Sequence, residues 1–146
     1  MTPLEEIEDV VHRMADLNLK AACRALLQDP QFILWPAAIG MHHAYPGGLV
    51  SHTMEVLRYA HRTADCFAAV DRDVLTAACL WHDYAKVFEY ELISTRLHEE
   101  APEKSLKHRQ TEDSIEYWIR SDYLYKIGHI AGSTNVFYHT ASMRDV

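Results

Sequence analysis

His52 and the His82-Asp83 doublet are the residues of this chain best suited to hold a metal ion. Neutral imidazole and carboxylate make a mixed nitrogen and oxygen donor set. Such a set suits one or two ions of Mn, Fe, Co, Ni, Zn or Mg rather than a thiolate-preferring ion. A carboxylate can also bridge two ions. An ion held this way lowers the pKa of a water toward neutrality and polarises a phosphoryl oxygen, which is what phosphoester hydrolysis requires. Lys86 stands three residues after Asp83 and four after His82, on the same side of a helix if one continues there. Its ammonium can then meet a substrate phosphate as a point charge. A His-Asp dipeptide alone carries little information, and so does a glycine turn ahead of a histidine. The two in this order, 30 residues apart and on adjacent helices, carry much more. The competing reading makes His52 and His82 core histidines satisfied by backbone carbonyls.

Two helices must position these side chains. His42 and His43 precede Pro46-Gly47-Gly48, a strong chain breaker. A long helix is expected over 49–69, with Val50, Met54 and Leu57 on its apolar stripe and His52 one turn inside. Asp71 or Asp73 caps the next helix, which turns Val74, Leu75, Ala78, Cys79 and Trp81 inward and ends near Ala85 or Lys86. Consecutive helices joined by a short turn pack antiparallel, so the start of the first meets the end of the second. His52 can thereby face His82 and Asp83. His42 is expected to face solvent.

Further helices flank this pair. Thr2-Pro3-Leu4-Glu5 reads as a capped helix start, and Asp29-Pro30 as a stop. The stretch 87–97 is rich in β-formers and is read as extended or a short hairpin. The stretch 105–120 is read as a helix with Ile115, Trp118 and Ile119 inward, and Gly128 opens a last apolar segment. The expected fold class is all-α, a bundle of five or six helices with at most a minor hairpin. The 146 residues suggest one domain over 1–146, long enough to bury a core without a disulfide.

The net charge of −7 disfavours an extended nucleic-acid surface, because binding polyanions depends on lysine and arginine. A small phosphorylated substrate or a short nucleic-acid end in a local pocket remains compatible. No apolar run is long enough to span a bilayer, and the acidic start is unlike a signal peptide, so the expected location is the cytoplasm, away from membranes. Homo-oligomerisation stays open. Cys23, Cys66 and Cys79 match no metal or redox spacing and are read as small buried hydrophobes.

Gly47-Gly48-Leu49-Val50-Ser51-His52-Thr53 and His82-Asp83-Tyr84-Ala85-Lys86 resemble the first two motifs of the HD superfamily of metal-dependent phosphohydrolases. The run His42-His43-Ala44-Tyr45-Pro46-Gly47-Gly48-Leu49, with Gly128-His129-Ile130 further on, looks most like the branch of 3′-to-5′ exoribonucleases and relaxase-associated HD domains. The likeness covers roughly residues 35–139. It implies an HD-type helical bundle with His52, His82 and Asp83 as metal ligands and His129 as a further ligand. It also implies that His43 lines the substrate pocket and that Lys86 contacts phosphate, serving the reaction alongside Asp83. The implied function is metal-dependent hydrolysis of a phosphoester on a nucleotide or short nucleic-acid end.

The chain departs from the pattern in two places. Tyr84-Ala85 replaces the usual Ile or Leu followed by Gly, which alters packing more than chemistry. The family's distal aspartate has no counterpart before Val146; His139 falls too early for the later histidine pair, and Asp145 stands one residue from the end. The expectations are a chain truncated at its C-terminus, a substituted ligand, or a degenerate site. Two alternative functions follow: a catalytically degenerate metal- or nucleotide-binding or interaction module, and a di-iron oxygenase on the same fold.

Overall fold

The structure, a computed structural model, describes residues 1–38, 41–93, 106–110, 115–120 and 129–142, with side chains over 1–38, 41–90 and 129–141. The helices are α1 (Pro3–His12), α2 (Leu17–Leu27), α3 (Pro30–Leu34), α4 (Gly48–Ala64), α5 (Arg72–Trp81), α6 (Lys86–Glu89) and α7 (His129–Ser142). The strands are β1 (Tyr90–Ile93), β2 (Leu106–Gln110) and β3 (Ile115–Arg120). The molecule is mostly helical, as its apolar periodicity implies.

Local chemistry sets the helix starts. The Thr2 N–H donates to Glu5 Oε2 at 2.7 Å, and Thr2 Oγ1 accepts from the Glu5 N–H at 3.3 Å, a reciprocal cap on α1. Asp71 caps α5 by accepting the N–H groups of Asp73 and Val74. Asp73, the other candidate for that cap, instead accepts the N–H groups of Ala15 and Asp16 at 2.8 and 2.7 Å. It thereby ties the α1–α2 turn to the first turn of α5.

The core gathers Ile7 and Val11 of α1, Leu26 of α2, Phe32 of α3, Leu49 and Leu57 of α4 and Leu80 of α5, all buried. Each such side chain contributes about 1.5–3 kcal/mol relative to exposure. Packing of α4 against both α1 and α5 holds the first turn of α4 beside the end of α5.

Several elements differ from the sequence expectation. Helix α4 ends at Ala64 rather than 69. Helix α5 ends at Trp81 rather than near Ala85 or Lys86. The cause is chemical: His82 Nδ1 lies 2.6 Å from the Cys79 carbonyl, the acceptor that the Asp83 N–H would need to continue the helix. Residues 82–85 form turns, and Lys86 opens α6. The stretch 105–120, read as a helix, supplies β2 and β3 of a three-stranded antiparallel sheet of order β1-β3-β2. Its register pairs Tyr90 with Arg120 and Leu106 with Ile119. The sheet goes beyond a minor hairpin but leaves the helical bundle intact. Cys23 and Cys79 are buried as expected, whereas Cys66 is exposed in the turns after α4. Gly128, His98, Asp113 and Asp145 lie outside the described residues, as do the side chains of Ile115, Trp118 and Ile119.

Candidate metal centre

The glycine turn sets where α4 begins. Gly47 has φ of 78°, a conformation that needs glycine, and its N–H donates to the Leu34 carbonyl at 2.9 Å. The Leu49 N–H donates to the Trp35 carbonyl at 3.0 Å. At Gly48 a Cβ would meet the His43 carbonyl oxygen at 1.9 Å, so no side chain fits there. On its other side the His42-His43 loop pairs with Ala37 and Ala38, whose N–H groups donate to the carbonyls of His43 and His42 at 3.1 and 3.2 Å. These contacts fix His52 one turn into α4.

Asp83 is the hub of the site. Its Oδ2 lies 3.4 Å from each of three nitrogens: His52 Nε2, His82 Nε2 and Lys86 Nζ. Its Oδ1 lies 3.4 Å from His129 Nε2. One carboxylate thus turns one oxygen toward α4 and the end of α5, and the other toward α7. Burial alone would raise the Asp83 carboxyl. The hydrogen bonds of His52 and His82 and the charges of His82 and Lys86 outweigh it and hold the group well below its usual range. For His82, burial favours the neutral ring, but the Asp83 and Cys79 hydrogen bonds and the Asp83 charge prevail and raise its pKa.

Surrounding residues aim this hub. The Cys79 carbonyl accepts from His82 Nδ1, so a neutral ring carries its lone pair on Nε2, the atom beside Asp83, where an ion can take it. His129 Nδ1 lies 3.5 Å from Glu89 Oε2, a carboxylate placed to orient that ring in the same way. The Ala85 N–H donates to the buried Ser133 Oγ at 2.8 Å and fastens α7 one turn beyond His129. The Tyr84 hydroxyl donates to Asp29 Oδ2 at 2.5 Å. Tyr84 therefore anchors the turn to the start of α3.

The donor set fits a divalent ion. Ions of this class hold nitrogen and oxygen donors at about 2.0–2.2 Å, so two neighbouring donors on one ion stand about 2.8–3.6 Å apart between octahedral and tetrahedral geometry. The 3.4 Å distances from Asp83 to His52 and His82 fall within that span. The donor atoms of His52, His82 and Asp83 all lie within 4.8 Å of one another.

The other sequence candidates fall as follows. Lys86 is buried against Asp83, brought there by the 82–85 turns rather than by a shared helix. His43 sits beside His52, with ring centroids 5.5 Å apart. His42 is exposed as expected, yet its ring centroid lies 4.8 Å from that of His52, so it belongs to the cluster. His139 is exposed. Sequence reasoning missed Glu89 and Ser133. Nothing local marks Ser133, but Glu89 lies six residues past Asp83 and could have drawn notice as a nearby carboxylate.

Comparisons with known proteins agree with the motifs. The chain is 39% identical over 87 residues to the 3′-5′ exoribonuclease YhaM of Listeria monocytogenes serotype 4b (strain CLIP80459), covering 58% of this chain and 28% of that protein. The counterpart from Listeria innocua serovar 6a is also 39% identical over 87 residues, with the same coverage. That from Bacillus subtilis (strain 168) is 32% identical over 88 residues, 59% of this chain and 28% of the relative. The chain thus spans little more than a quarter of the length of the curated relatives it matches. No family model and no solved structure matches it.

Proposed function

We propose that this chain is an HD-type, metal-dependent phosphohydrolase domain acting on a nucleotide or on the end of a short nucleic acid. The observation that carries the reading is the Asp83 carboxylate, with His52 and His82 at 3.4 Å from one oxygen and His129 at 3.4 Å from the other. Relatives named as 3′-5′ exoribonucleases support the choice of a nucleic-acid end as substrate.

In this reading His52, His82, Asp83 and His129 hold the ion or ions. A divalent ion bound there supplies an acidified water and polarises a phosphoryl oxygen. Asp83 stays ionised throughout, because its neighbours stabilise the carboxylate. Lys86, at 3.4 Å from Asp83, provides a fixed positive charge beside the scissile phosphate. His43, beside His52, lines the substrate pocket. A cavity of about 520 Å³ between α2, α5 and α7 reaches His82 and Asp83, with Val74, Ala77, Trp81 and Phe137 among its walls. Its apolar lining suits the flat face of a nucleobase whose phosphate lies at the ions.

The test is release of nucleotides from a short 3′-labelled RNA in the presence of manganese. Product that vanishes in His82→Ala is expected. No product from any RNA or nucleotide with manganese, cobalt or magnesium would overturn the assignment.

A further inference from the structure

His42 Nδ1 and His43 Nδ1 face each other at 3.2 Å. Two adjacent residues in extended chain point to opposite sides. Here His42 lies in the bridge to Ala38, and His43 takes φ of 49°, a left-handed conformation uncommon outside glycine. That combination turns both rings to one side, over His52. The ring of His52 has its centroid 4.8 Å from that of His42 and 5.5 Å from that of His43. One donor atom from each of the three residues lies within 4.8 Å of the other two.

The far nitrogen of His43 is also engaged. His43 Nε2 lies 3.2 Å from Glu55 Oε1, one turn further along α4. A carboxylate on one ring nitrogen fixes the proton there and leaves the lone pair on the other, the arrangement that orients imidazole ligands in metal sites. The free lone pair is then on Nδ1, the atom aimed at His42. Two imidazole nitrogens at this spacing either share one proton or share a cation. The spacing falls within that of two donors on one divalent ion, about 2.8–3.6 Å.

We propose that His42, His43 and His52 form a second, outer cation site of three imidazoles, oriented by Glu55 and adjoining the Asp83 centre through the shared His52. Its donor set is all nitrogen, so it takes zinc, nickel, cobalt or copper(II) and rejects magnesium and calcium, which require oxygen ligands. The Asp83 centre, with its carboxylate, accepts the harder ions as well. His52 contributes to both sets, so Asp83→Asn isolates the outer site, while excess zinc fills it through His42 and His43 in the wild-type chain as well. The site does not depend on the phosphoester reading.

The test titrates zinc into the full chain by calorimetry, using Asp83→Asn to weaken the inner centre. Asp83→Asn is expected to keep about one zinc equivalent. Adding His42→Ala and His43→Ala should weaken that binding by more than about tenfold. Magnesium should not compete for it. Equal zinc binding with and without the two histidines overturns the outer site, whatever the inner centre does. If Asp83→Asn fails to fold, long-range proton–nitrogen spectra of the wild-type chain with added zinc decide the matter. Movement of the His42 and His43 Nδ1 signals to metal-bound positions supports the site. Unchanged signals from both rings, at zinc excess, overturn it. Loss of RNA cleavage in Asp83→Asn with zinc binding retained would separate the two sites directly.

Discussion

The Ala85 N–H and the Ser133 hydroxyl meet at 2.8 Å, across 48 residues of sequence, inside the protein. This bond clamps α7 to the turn that bears Asp83, and so places His129 against the second oxygen of that carboxylate. Ser133→Ala leaves the buried Ala85 N–H without its partner, at a cost of about 1–3 kcal/mol. On the proposed ligand set it should also weaken binding of an ion through His129 without touching His52 or His82. Urea unfolding together with a manganese titration checks both effects. Unchanged stability and unchanged affinity would show that the clamp does not position α7.

Gly48→Ala tests the loop. Its Cβ would collide with the His43 backbone oxygen, a rigid group that cannot swing away. The loop must move, so His42, His43 and His52 all shift. The expected stability loss is at least about 1–3 kcal/mol, with weaker metal binding in the variant that still folds. Gly47→Ala is strained for a different reason, its φ of 78°, and should cost less because no backbone atom blocks its Cβ.

Asp83→Ala removes the shared carboxylate and strands the buried Lys86 ammonium beside two imidazoles. Breaking a buried ion pair from one side costs about 3–5 kcal/mol. The double variant Asp83→Ala, Lys86→Met should regain part of that stability while remaining unable to bind manganese at the inner centre. Thermal melts of the metal-free single and double variants measure the difference.

Stability should also depend on pH through His61, away from the candidate metal centre. Its Nε2 lies 2.9 Å from Thr76 Oγ1, whose hydroxyl donates to the Arg72 carbonyl at 2.7 Å. The hydroxyl oxygen therefore accepts from a neutral His61. Burial, with Arg72 nearby, lowers the His61 pKa in the folded chain. The unfolded chain then takes up the proton first as pH falls. This contribution to stability is complete above about pH 6.5 and is lost as pH falls from there through the folded-state pKa. His61→Gln keeps a donor to Thr76 but cannot titrate. The gap in urea midpoint between wild type and this variant should shrink or reverse on going from about pH 8 to about pH 5.5. A constant gap would contradict the account.

Features that depend on neighbouring residues were legible in the sequence. The Thr2 cap and the Asp71 cap rest on contacts within a few residues, and the glycine turn announces itself by residue type, although Leu34 and Trp35 hold it in place. The meeting of His52 with Asp83 needed only two consecutive antiparallel helices. What was not legible depended on distant partners. Residues 115, 118 and 119 have helical spacing, yet the segment gains more by pairing its backbone with both β1 and β2, a choice no local window contains. Ser133 looks like any small residue in an apolar helix until Ala85 is placed beside it. Residue types place His42 toward solvent, and it is exposed; the left-handed turn at His43 that also brings it to His52 is invisible in them. Helix α5 stops early because a side chain, His82, captures a carbonyl that the periodic pattern assigns to the backbone.

The central claim is that His52, His82 and Asp83 share a cation. Crystals grown with manganese, and an anomalous difference map recorded from them, test it most directly. The account predicts a peak about 2.2 Å from the two Nε2 atoms and the Asp83 carboxylate. A map with no peak between those three side chains, at manganese levels that saturate other sites, would contradict it.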